Sequence, residues 1–213
     1  MRDDGDVRDL LESWVALITR QSADPDAIEV GRGLLAAWSE PHRRYHGMTH
    51  LCDIIERVEE LAPYADDADA VRLAAWYHDA VYAGLPDDEE RSARRAEEEL
   101  SRLNVAPELI AEVARLVRMT VTHDPATGDR NGEVLSDADL AALAVPSDTY
   151  QANTAAIRAE YTHVPAEAFR KGRAQVLVAF LAGPGVFRTA YARREWEATA
   201  RDNMRAELAG LTD

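Results

Sequence analysis

Cysteine is almost absent. Cys52 stands alone, which rules out an intramolecular disulfide and a cysteine-built zinc cage. A reducing, cytoplasmic setting is the simplest reading of that scarcity. Long apolar runs are also missing. No stretch approaches the roughly 18 uninterrupted apolar residues of a membrane span, and the start MRDDGDVRD carries no apolar region behind a basic head, as a secretory signal would. Positive charge is scarce, with 24 Lys and Arg against 39 Asp and Glu, a net charge of −15. A surface of that sign repels nucleic-acid backbones and anionic lipid, so neither a nucleic-acid polymer nor a membrane is the expected partner. Strand signals are lacking too. Period-two alternation is nowhere sustained, and Asn131-Gly132 lies between polar segments instead of β-branched runs. Nor does any repeat, low-complexity tract or composition shift mark a second domain.

What is present is apolar residues at helical spacing. Leu10, Leu11, Trp14, Val15 and Ile18 form one stripe, and Ile28, Leu34, Leu35 and Trp38 another. Leu51, Ile54, Ile55, Val58 and Leu61 form a third, and Leu109, Val113, Leu116 and Val117 a fourth. Phe169, Val176, Leu177 and Phe180 continue the pattern, and 187–210 is rich in the helix formers Ala, Arg and Glu. Prolines 25, 63, 86, 107, 146 and 165 fall at segment edges. The expected fold is all-α and single-domain, its longest loop at 123–135.

Within this helical pattern WYHDAVY (76–82) is anomalous, because His78 and Asp79 interrupt a run fit for a core. A buried imidazole beside a buried carboxylate is costly unless both are paired or a cation sits between them. Taken alone, the pair reads as a core histidine bonded to a carbonyl beside an arginine-paired aspartate. Two further pieces share its character. PHRRYHGMTH (41–50) holds three histidines, with His46 and His50 four apart and on one face if helical. LSDADL (135–140) holds Asp137 and Asp139, and its Ser136-x-x-Asp139 spacing also fits a capping box at a helix start. Two imidazoles and two carboxylates from three helices suit a borderline divalent cation such as Mn, Fe, Co, Ni or Zn. Arg43 and Arg44 form a basic island in an acidic chain, which suits an anionic substrate unless the acids of 87–90 pair with them.

In this order the pieces resemble the HD superfamily of metal-dependent phosphohydrolases. RRYHGMTH (43–50), WYHDAVY (76–82), DDEERSA (87–93), SDADLAAL (136–143), IRAEY (157–161) and ARDNMRAEL (200–208) together resemble one bacterial subfamily, described as predicted metal-dependent HD phosphohydrolases. The resemblance runs from about residue 35 to the C-terminus. It implies an HD-type helical bundle over about 25–145, with accessory helices over about 146–213. The implied metal ligands are His50, His78, Asp79 and Asp139, with Asp137 as the alternative last ligand, and the ion is one of Mn, Co, Ni, Fe, Zn or Mg.

The implied activity is hydrolysis of a small phosphate ester, a nucleotide or phosphorylated metabolite, by attack of metal-bound hydroxide. Asp79 and either Glu89 or Asp87 are the implied catalytic acids. Arg43, Arg44, His46, His123 and Arg158 are candidates for the substrate side, while Asn203 reads as a packing residue and His42 and His163 as exposed. Two other functions stay open. Some HD proteins are di-iron oxygenases, although these need more histidines than His123 supplies, and the scaffold also allows a non-catalytic nucleotide- or metal-binding module. A homodimer is compatible with the sequence.

Overall fold

The structure, a computed structural model, describes the backbone of residues 4–212 and the side chains of residues 8–211. Among these residues it is all-helical, with no strand. The α-helices in chain order are α1 (Asp4–Ile18), α2 (Ala27–Trp38), α3 (Met48–Leu61), α4 (Ala68–Tyr77), α5 (Asp88–Arg102) and α6 (Pro107–Met119). Then follow α7 (Arg130–Leu140), α8 (Ser147–Glu160), α9 (Ala166–Ala182), α10 (Ala190–Glu195) and α11 (Glu197–Thr212). No helix among the described residues is long and apolar enough to cross a membrane.

The bundle is organised around α4, which packs against α1, α3, α5, α6 and α7. From Leu73 to Tyr77 every residue of α4 is buried, so the second half of the helix has no solvent face, while Asp69 and Arg72 keep the first half partly exposed. Asp67 starts it by accepting the amides of Asp69 and Ala70, each at 3.0 Å. Trp38, at the end of α2, donates its indole N–H to the Trp76 carbonyl at 3.0 Å. That bond fixes the C-terminal end of α4 one residue pair before His78. Trp14 of α1 packs edge-on against Trp76 and Tyr77, with ring centroids 5.4 and 6.0 Å away. The main core therefore begins at Leu10, earlier than the boundary near residue 25 that the resemblance implied.

A second, smaller cluster holds Leu177, Val186, Phe187, Ala192, Ala200 and Met204, with Leu140, Leu143 and Ala144 against it. It joins α9, α10 and α11 to the end of α7. Asn203 donates to the Leu143 and Val145 carbonyls at 3.0 and 2.8 Å, as expected of a packing residue. Two stripes differ from the sequence pattern. Ile28 is 45% exposed while Val30 is buried, and Val176 is 46% exposed while its neighbour Leu177 is buried. α9 buries a narrow line of side chains, so a one-residue phase error moves a valine from core to solvent.

The segment before Asp137 also differs. α7 begins at Arg130, capped by Asp129, which accepts the Gly132 amide at 3.0 Å. Asp137 and Asp139 thus lie in the last turn of α7, not at a helix start, and the Ser136–Asp139 capping box does not form. The loop shortens to the residues between Met119 and Arg130.

Gly31 is required by close approach. A Cβ there would lie 2.4 Å from the Trp14 ring and 2.8 Å from its indole nitrogen, which donates to the Ala27 carbonyl at 2.8 Å. Gly31→Ala is expected to lower unfolding free energy by about 1–3 kcal/mol in chemical denaturation, in spite of its gain in helix propensity.

Candidate metal centre

Three elements bring the donors together. His50 lies in the first turn of α3, His78 and Asp79 in the turn that ends α4, and Asp139 in the last turn of α7. His50 Nε2 is 3.2 Å from His78 Nε2 and 3.1 Å from Asp139 Oδ1. His78 Nε2 is 3.8 Å from the same Asp139 oxygen and 3.3 Å from Asp79 Oδ2. The donor atoms of His50, His78 and Asp139 all lie within 4.8 Å of one another, and the residues are buried or nearly so. Asp79 stands at the edge of this group, outside the tight triad. Of the four expected ligands, His50, His78 and Asp139 form the close group, and Asp79 lies beside it.

The donors fit a cation. His78 Nδ1 donates to the Ala75 carbonyl at 2.9 Å, which leaves Nε2 as the free ring nitrogen. Two imidazole nitrogens at 3.2 Å cannot both face each other as lone pairs without a positive charge to share. Two donors about 2.1 Å from one ion would lie about 3.0–3.4 Å apart, which is the observed spacing. Burial opposes charge on His78, but Asp79 and Asp139 outweigh it and raise the imidazole to about 9. Burial works against both carboxylates as well, and the His78 charge overcomes it and holds them well below the ordinary range. Such a group favours a cation strongly, whether a proton or a metal ion. The C-terminal ends of α4 and α7 also point their negative dipole ends here. His50, His78 and Asp139 could hold a metal ion.

Asp137 has another role. It is fully buried and turned away, accepting the Arg188 amide on Oδ1 and the Thr189 amide on Oδ2, each at 2.7 Å. Burial raises its carboxyl to about 6 against the pull of those amides. It ties the end of α7 to the start of α10.

The turn that carries His78 and Asp79 is held almost atom by atom. Arg43 donates to the Asp79 carbonyl at 2.7 Å and Arg95 to the Ala80 carbonyl at 3.0 Å. Ser92 bonds both the amide and the carbonyl of Val81. Asp88 accepts the amides of Ala83 and Leu85 at 2.7 and 2.9 Å. Backbone groups that could have gone to water are thereby fixed, so the donor geometry is preset.

This overturns the expected role of Arg43. Its side chain is 1% exposed, and it also donates to the His46 carbonyl at 3.0 Å. Its Nη2 is buried with no hydrogen-bond partner. The guanidinium instead sits 5.4 Å from the ring centroids of both Trp38 and Tyr82, a compensation of cation–π type. Arg43 is a strut beneath the centre. Arg44 is exposed, and the fold uses its amide: Glu160 Oε1 accepts the amides of Arg44, Tyr45 and His46 at 2.6, 2.8 and 3.0 Å. Arg158 is also displaced from the substrate side, donating to the Tyr161 and Val164 carbonyls after the end of α8 and lying over Phe169.

A cavity of about 230 Å³ opens on the donors and is lined by His46, Glu89, His123 and Arg173 among others. His123 is largely buried, its Nε2 3.5 Å from Asp139 Oδ2, and its backbone sits at φ 49°, a left-handed conformation uncommon outside glycine. Burial lowers its imidazole pKa. Glu89 is half-buried, and burial raises its carboxyl. Asp87 is exposed and lines no part of this cavity, so of the two candidate acids the structure brings only Glu89 to the site. Arg173 reaches the wall in a two-bond pair with Glu207 at 2.8 and 2.9 Å.

The sequence did not single out Glu160, although it lies in the IRAEY motif. Its other oxygen accepts from His46 Nδ1 at 2.7 Å and the Tyr82 hydroxyl at 3.0 Å. Burial opposes its charge, and His46 and the three amides overcome this and hold it down to about 2. A depressed carboxyl stabilises the fold above its ordinary pKa and loses that contribution as pH falls through the folded value. Glu160→Gln should therefore cost about 1–3 kcal/mol near neutral pH, and the gap to wild type should close as pH falls from about 4.5 toward 2, read by denaturant titration.

Elemental analysis after metal loading should separate the two α7 aspartates. Asp139→Asn is expected to strip the ion, whereas Asp137→Asn should keep it and lower the melting temperature.

No protein-family model, curated protein or solved structure matches the chain, so what the centre does has to be argued from its own atoms.

Proposed function

We propose that the chain is a metal-dependent phosphohydrolase of the HD kind, acting on a small phosphate ester such as a nucleotide or phosphorylated metabolite. The observation that carries this reading is the His50–His78–Asp139 group opening onto a cavity of about 230 Å³ with a mixed polar and apolar lining. Two imidazoles and a carboxylate, with Asp79 beside them, suit a borderline divalent ion of the Mn, Fe, Co, Ni or Zn type, with Mg as the harder alternative. Such an ion, when bound, polarises a phosphoryl oxygen and acidifies water.

The protein's own groups supply the rest. His123 and His46 line the cavity, and Arg173 brings fixed positive charge, which would help hold the non-reacting phosphoryl oxygens. Glu89, its carboxyl pushed up by burial, is placed to give a proton to the departing oxygen and take one back from water. The Ala75 carbonyl keeps the His78 ring oriented, and Asp79 Oδ2, 3.3 Å from His78 Nε2, would be a further oxygen donor to the same ion. Tyr82 and Tyr161 also line the cavity, whose volume of about 230 Å³ suits a small ester. The lone cysteine keeps the cytoplasm as the simplest setting.

Purified protein loaded with Mn, Co, Ni or Mg should release phosphate from some member of a panel of nucleotides and phosphomonoesters. His78→Ala and Asp79→Ala should abolish the release. Silence across the panel from protein shown to carry metal would refute hydrolysis and leave a binding role.

A further inference from the structure

A wider groove of about 630 Å³ adjoins the inner cavity. Glu89, Thr120, His123, Leu140, Tyr161 and Phe180 line both, so the two spaces share a wall. Their chemistry differs. The inner space is the more polar and holds the candidate metal donors. The outer groove presents Val121, 59% exposed, and Val176, 46% exposed, with Val186 and the Gly183-Pro184-Gly185 turn beside them. Exposed valines on a groove continuous with a polar site mark a place for the apolar part of a ligand.

Arg188 lines the same groove, whereas Arg43, the other arginine with a sealed, unpaired nitrogen, lines neither space. The Arg188 backbone is fixed, because its amide is held by Asp137 at 2.7 Å. Its side chain is incompletely bonded. Nη2 donates to Asp124 Oδ1 at 3.0 Å, and Nε, sealed from solvent, has no hydrogen-bond partner. Nε and Nη2 form the edge of a guanidinium that takes a two-oxygen acceptor side-on. Arg173 shows the completed form of that arrangement on Glu207. On Arg188 the edge is half used, and by a weak partner: the Asp124 side chain is 75% exposed, where solvent screens the ion pair. An anion with two oxygens that displaces Asp124 gains the second bond and relieves an unpaired donor.

We propose that the outer groove seats the organic part of the substrate and that Arg188 reads a second anionic group, a carboxylate or a phosphate, at its far end. The substrate is then a phosphate ester anionic at both ends, with an apolar body between. Arg188 acts as a specificity residue, remote from the reacting phosphorus. The inference rests on the proposed function, which places the reacting phosphate at the inner cavity.

The test uses the metal-loaded full chain and non-hydrolysable probes in titration calorimetry. Methylphosphonate, linear alkylphosphonates from butyl to decyl, the matching α,ω-bisphosphonates and the matching ω-carboxyalkylphosphonates are compared. At one or more chain lengths a two-ended probe should bind at least about tenfold tighter than its one-ended counterpart, and the better of the two series tells carboxylate from phosphate. Arg188→Gln should remove that gain and leave methylphosphonate binding unchanged. Arg188→Lys, which keeps charge without the fork, should keep part of it. Val176→Glu, at an exposed position, should weaken the two-ended probes selectively and stands in if Arg188→Gln unfolds. No gain at any length, or a gain that survives Arg188→Gln, overturns the inference while methylphosphonate binding still supports the inner site. Loss of methylphosphonate binding itself removes the proposed function and this inference with it.

Discussion

Two ring nitrogens 3.2 Å apart, with a carboxylate oxygen 3.1 Å from one of them, are the constraint around which the molecule is built. Inside a protein such a cluster is unfavourable without a positive charge at its centre, because the effective dielectric is low and water is excluded. Two helix C-termini add their negative ends to it, and the chain's net charge of −15 does nothing to help. The compensation has to be local, and the fold is arranged to keep the donors in place for it. The second half of α4, Leu73–Tyr77, is buried on every side. Trp38 holds its last turn, and the turn after it is bonded from Arg43, Ser92, Arg95 and Asp88. A site held this rigidly would take a cation without reorganising.

The C-terminal helices are part of that arrangement. Glu160, at the end of α8, takes three successive amides from the loop that leads into α3 and its His50. Asp137 does the same in the opposite direction, taking two amides from the entry to α10. Glu197 accepts the amides of Val186 and Phe187, and Asp88 those of Ala83 and Leu85. Asp137 is thus satisfied by neutral N–H groups without a counter-cation, while Glu160, Glu197 and Asp88 add their amides to a pairing with His46, Arg201 and Arg91. An acidic composition reads as a surface property, yet part of this acid excess is internal and joins segments far apart in the chain.

What was legible in the sequence follows from this physics. The helices were legible because burial of one face imposes a period on the residues, and the all-α fold follows from it. His50, His78 and Asp139 were legible as a set because polar residues in apolar runs demand a reason, and a family resemblance supplied their order. The choice of Asp139 over Asp137 came from that resemblance. Residue spacing alone could not make it, since the two side chains point opposite ways only because α7 ends where it does. The capping-box reading of Ser136 failed for the same reason: Asp129, seven residues earlier, had already started the helix. Glu160 was not legible as a site residue. Its partners are backbone amides more than a hundred residues away, and an amide leaves no mark in a sequence.

The arginines show most plainly where composition stops informing. Lys171 is the sole lysine, so nearly every fixed cation here is a guanidinium, a group defined by which of its edges is occupied. A pair of arginines beside a histidine motif looks like an anion receptor, but Arg43 spends Nε on Glu40 and Nη1 on two carbonyls and lies against two aromatic rings. Arg173 shares a full edge with Glu207 and still faces the cavity. Arg188 is fixed by its backbone while its outer edge holds one exposed carboxylate. In a protein this acidic, an arginine is open to an external anion only where internal acids fail to saturate it. That condition is met farther from the metal donors than the sequence motif suggests, on a segment that the donor helix α7 itself holds through Asp137.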